Sequence, residues 1–86
     1  MLLSAVALDS VGGIMDSDER AKLKTILSYW IEHNKEHGQE FREWAKKASV
    51  LGEPEAGEDM LAAAREMDGV NKFLSQALKK VAEKGL

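Results

Sequence analysis

Apolar residues recur at alternating steps of four and three through two long stretches of the chain. The first holds Leu23, Leu27, Trp30, Asn34, His37, Phe41, Trp44, Ala48 and Leu51, with Asn34 and His37 as polar insertions. The second holds Met60, Ala64, Met67, Asn71, Leu74, Leu78 and Val81. Steps of this kind keep returning to one helix face, and their unbroken alternation marks a seam that packs against a second helix.

The ends of both helices are signalled separately. Asp16 and Glu19 have capping-box spacing, and Asp18 adds negative charge where the helix dipole favours it. A helix is therefore expected from about residue 17 to 51, with Lys46 and Lys47 complementing its far end. Gly52-Glu53-Pro54-Glu55 reads as the turn, with Gly52 at the residue after the cap and the proline opening the next helix. The second helix is expected from about 55 to 84. Gly38 and Gly69 are interior weak points, each costing about 1 kcal/mol against alanine. The fold class is thus all-α, an antiparallel two-helix hairpin over residues 17–86.

Folding one seam onto the other pairs Ala48 with Met60, Trp44 with Ala64, Phe41 with Met67 and His37 with Asn71. Asn34 then meets Leu74, Trp30 meets Leu78 and Leu27 meets Val81. On this register His37 is a buried polar residue that fixes alignment through Asn71, at some cost in stability. Ile26, Tyr29 and His33 flank the first seam on one side, with Ala63, Val70, Phe73 and Ala77 on the matching side of the second. Ile31 and Ala45 fall on the other flank. Two helices cannot cover faces this wide, so a homodimer forming a four-helix bundle is expected.

Residues 1–16 read as a tail or short packing segment. Leu2 to Leu8 is apolar but lacks a preceding Lys or Arg, which makes it a poor secretion signal. Gly12-Gly13 marks a break before the first helix.

Composition narrows the function classes. The 86 residues are 44% hydrophobic and 31% charged, which suits one small helical domain rather than a disordered chain. The formal charge of −3 gives no basic footprint for nucleic acid. No apolar run reaches the roughly 20 residues that span a bilayer. The expected setting is cytoplasmic, with neither a nucleic-acid nor a membrane partner. The chain has no cysteine, so disulfides, thiolate metal sites and cysteine nucleophiles are all excluded.

The chemistry-bearing residues gather between Trp30 and Trp44. His33 and His37, the two histidines of the chain, stand four residues apart, so both imidazoles project from one helix face. Glu36 and Glu40 share or adjoin it. Imidazole and carboxylate together suit zinc, nickel, cobalt or iron. Glu32, Glu36 and Glu40 also form a like-charge column that a cation would relieve. The candidate metal ligands are therefore His33, His37, Glu36 and Glu40. The second helix contains no histidine, and a dimer would complete four ligands by symmetry.

Other chemistries fit less well. A zinc peptidase needs His-Glu-x-x-His, whereas the glutamate here directly precedes the second histidine. No glycine-rich phosphate loop is present. His37 to Arg42 is faintly similar to the phosphoacceptor motif of sensor-kinase dimerisation domains. The acidic residue does not directly follow the histidine, however, and the proline after the arginine is missing. A protein-interaction or dimerisation module with structural histidines is the main alternative, served by Met60, Met67 and Phe73.

Tyr29-Trp30-Ile31-Glu32-His33-Asn34, His37 and Glu40-Phe41-Arg42-Glu43-Trp44-Ala45 together resemble a family of small uncharacterised microbial helical domains. The likeness covers Leu23 to about Leu86. It implies a helical domain without an established activity or catalytic residues. It also implies an association of some members with metal-handling proteins, which slightly favours the metal reading. The expectation is a small non-enzymatic domain, binding either a divalent metal or a protein partner.

Overall fold

The structure is a computed structural model that describes residues 17–84. It consists of two α-helices, α1 (Ser17–Val50) and α2 (Pro54–Lys84), packed along their lengths as an antiparallel hairpin. The expected N-cap at Asp16 and the tail over residues 1–16 lie outside the described residues. No helix among the described residues is long and apolar enough to cross a membrane.

The turn follows the sequence signals. Gly52 adopts φ 88°, the left-handed conformation that a residue lacking Cβ takes without strain. Glu53 N–H donates to the Ala48 carbonyl at 2.8 Å, and Gly52 N–H donates to the Ser49 carbonyl at 3.1 Å. These two bonds form a Schellman motif and satisfy carbonyls that the helix end would otherwise orphan. Pro54 opens α2, where its missing N–H costs nothing. Gly57 N–H to the Glu53 carbonyl, at 3.0 Å, starts the new ladder.

The α2 seam lies where expected. Met60, Met67, Asn71, Leu74, Leu78 and Val81 are half-buried, and Ala64 is fully buried. The α1 seam is rotated from the expected one. Leu27, Asn34, Phe41 and Ala48 keep their places, but Ala45 is only 3% exposed while Trp44 is 53% exposed. Gly38 is likewise buried while its neighbour His37 is half-buried. Ile31 and Ala45, expected on the flank, thus belong to the seam, and Trp44 is turned outward. The end residues Leu23 and Leu51, expected on the seam, are exposed.

The register also differs, by about one helical turn. Asn71 bonds to Asn34 and to the Ile31 carbonyl instead of to His37. Gly57, rather than Met60, faces Ala45 and Ala48. The physical reason is size. Gly57 lies so close to α1 that a Cβ there would stand 2.8 Å from the Ala45 carbonyl oxygen. Small residues let the two backbones meet near the turn, and that contact sets the alignment of everything beyond it.

The core is thin. Leu27, Ala45 and Ala64 are the buried hydrophobic residues among those described. Tyr29, Val70 and Phe73 are large apolar side chains with 59%, 46% and 68% of their surface exposed, as the sequence led us to expect of a hairpin with a wide flank.

Candidate functional site

The histidines lie mid-way along α1, on an edge of the hairpin rather than inside it. The opposite edge is marked by an ion pair, in which Arg42 Nη2 donates to Asp68 Oδ2 at 2.7 Å. At about 100° per residue, His37 and His33 lie about 140° and 180° around α1 from Arg42. Val70, Phe73 and Ala77 lie about 160°, 140° and 180° around α2 from Asp68. The histidine pair and the exposed apolar residues of α2 therefore share one edge.

The i, i+4 spacing brings the two rings together. His33 Nε2 and His37 Nε2 are 3.1 Å apart, with ring centroids 4.5 Å apart and the planes at 85°. His37 Nδ1 is 3.2 Å from Glu40 Oε1. An ionised carboxylate only accepts, so Nδ1–H of His37 donates to Glu40. The tautomers of the two rings decide which Nε2 donates to the other. Aromatic rings bracket the pair. Tyr29 stacks on His33 at 5.3 Å and 16°, and Phe41 stacks on His37 at 6.2 Å and 22°. Four side chains at successive four-residue steps thus form one ladder that winds from the outer face of α1 towards the seam.

The four candidate ligands do not converge. His33 and His37 meet through their Nε2 atoms, whereas Glu40 sits on the far nitrogen of His37, where it orients the ring instead of facing the same point. Glu36 is exposed and makes no hydrogen bond or ion pair among the described residues. No three His, Asp or Glu side chains among the described residues gather into a group that could hold a metal ion. One chain thus offers two convergent nitrogens and an orienting carboxylate.

His37 is not the buried partner of Asn71 that the seam implied. Its side chain is 42% exposed. The interhelical polar contact belongs to Asn34, whose Nδ2 donates to Asn71 Oδ1 at 3.1 Å, while Asn71 Nδ2 donates to the Ile31 carbonyl at 3.0 Å. The signal for this pair was present as two asparagines on facing seams. It was masked by the one-turn error in register.

A separate apolar feature lies near the turn. Trp44, Lys46, Lys47, Val50 and Leu51 line a shallow recess, and the Lys47 ammonium sits 4.2 Å from the Trp44 ring centroid. Seam periodicity gave no hint of it, because it placed Trp44 between the helices.

No solved structure matches the chain. The chain is 35% identical over 57 residues to an uncharacterized protein of Archaeoglobus fulgidus, an alignment covering 66% of this chain and 90% of that protein. Residues 23–81, which contain the histidine pair, the asparagine pair and all of both seams, match a family model, and the chain belongs to that family, described as Domain of unknown function (DUF8180).

Proposed function

We propose that this hairpin is a non-enzymatic module that binds a divalent transition metal through Nε2 of His33 and Nε2 of His37. The observation that carries the reading is their 3.1 Å separation. Two imidazole nitrogens bound to one ion at about 2.0–2.1 Å, at right-angled to tetrahedral geometry, stand about 2.8–3.4 Å apart. The pair is already at that bite distance, and binding turns the rings so that both lone pairs face the ion in place of each other. It requires each ring to carry its hydrogen on Nδ1.

Glu40 supports the same reading. A ligating histidine commonly donates its other ring N–H to a carboxylate, which fixes the tautomer and raises ligand basicity. His37 makes that contact. The Glu40 carboxylate supplies negative potential beside the pair. Imidazole ligands with nearby carboxylates suit zinc, nickel, cobalt or iron. The phosphotransfer alternative is less well supported, since no acidic residue directly follows His37 and no proline follows Arg42.

The test is titration of the purified chain with cobalt(II) or nickel(II), followed by calorimetry. The expected result is saturable binding that His33→Ala and His37→Ala each abolish and that Glu40→Gln weakens by about 10- to 100-fold. Binding that survives loss of both histidines would overturn the assignment.

A further inference from the structure

Two nitrogens leave a metal ion half-coordinated, and the edge that carries them exposes large apolar side chains. Structural zinc-like sites are closed, with four protein ligands. One chain supplies two. Beside them Tyr29, Val70 and Phe73 expose large apolar surfaces, and Ile26 and Ala77 are only partly covered.

Position along the hairpin points to what covers this edge. In an isologous dimer each residue near the two-fold axis lies near its own copy. For a long hairpin, the arrangement that buries most surface sets the axis at mid-length. His33 is at the middle of α1, the 17th of the 34 residues counted from Ser17. Val70 adjoins the middle of α2, the 17th of 31 counted from Pro54. A second copy laid across this edge therefore brings one histidine pair close to the other.

Charge gives a reason for the ion. The Glu40 carboxylate stands on this edge beside His37. Two such edges repel one another, and a divalent cation between them offsets that repulsion.

We propose that a second copy of this chain covers the edge formed by Ile26, Tyr29, Val70, Phe73 and Ala77, and that four imidazoles, His33 and His37 from each copy, hold one zinc-like ion on the two-fold axis. This rests on the metal reading above and adds its stoichiometry, its geometry and its partner. By linkage the ion tightens dimerisation by the factor by which dimerisation tightens the ion, about 10- to 100-fold for couplings of this kind.

Sedimentation equilibrium of the full chain at tens of micromolar, with and without cobalt(II), and visible absorption on the same samples, test this. The expected result is one cobalt per two chains, a doubled mass, and the strong absorption of tetrahedral cobalt. The variant carrying His33→Ala and His37→Ala should lose all three. Phe73→Glu alters a side chain that is 68% exposed, so the hairpin folds, as circular dichroism will show. It should return the chain to monomer mass and weaken cobalt binding by about 10- to 100-fold. One cobalt per chain, in monomer or dimer, overturns the shared site and leaves the metal module standing. No cobalt binding overturns both. A Phe73→Glu chain that keeps the doubled mass and half stoichiometry overturns the proposed face.

Discussion

The hairpin holds itself together differently at its two levels. Near the turn, Gly57 brings the helices so close that a Cβ there would stand 2.8 Å from the Ala45 carbonyl oxygen and 3.8 Å from the Ala48 methyl group. At mid-height, Asn34 and Asn71 join the helices through hydrogen bonds that reach the α1 backbone at Ile31. The first level is steric and tolerates no added volume. The second is directional and tolerates no unpaired partner. Together they fix the alignment that the heptad pattern alone left one turn out.

The steric level should break most sharply. Gly57→Ala sets a methyl group 2.8 Å from the Ala45 carbonyl oxygen, and a backbone atom cannot rotate away. We expect a loss of about 1–3 kcal/mol in chemical denaturation. An unchanged midpoint would show that the helices do not approach as described.

The directional level should respond in pairs. Asn71→Leu leaves the Asn34 amide without its acceptor in a half-buried position, at about 1–3 kcal/mol. Adding Asn34→Leu should recover much of that loss, because the orphaned group is gone. His37→Leu combined with Asn71→Leu should instead be additive within about 0.5 kcal/mol. A denaturation cycle over these variants separates the two registers. Strong coupling of His37 to Asn71, with none for Asn34, would contradict the structure.

Smaller effects sharpen the contrast. A methyl group added at Gly69 in α2 would meet no atom within 4 Å, so Gly69→Ala relieves helix entropy without a clash. It should stabilise by about 0.4–1 kcal/mol, opposite in sign to the same change at Gly57. Arg42→Ala removes an ion pair whose side chains are 43% and 66% exposed. The expected loss is below about 1 kcal/mol and shrinks further in salt. A larger loss would mean that this edge contributes to register as well.

The histidine site was legible in part. The four-residue spacing alone places His33 and His37 on one face, and that is where they meet. The role of Glu40 was not separable from that of Glu36 in the sequence, because both lie within a turn of His37. Only the rotamers show Glu40 on Nδ1 and Glu36 apart. The half-buried edge position of His37 was missed for the same reason as the outward turn of Trp44. A strict four–three count gave these large residues seam positions that their neighbours Gly38 and Ala45 occupy.

What the sequence determined by itself is the local structure. Two helices, their ends to within a residue or so, the glycine turn and the whole α2 seam follow from capping, propensity and periodicity, which act between residues close in the chain. The tertiary structure decided the rotation of α1 and the register between the helices. Periodicity fixes a face only to within one side chain, and apolar bulk is a poor guide to which neighbour lies innermost. A glycine facing a backbone carbonyl allows the closest approach, and that closeness exists only once the two helices have met.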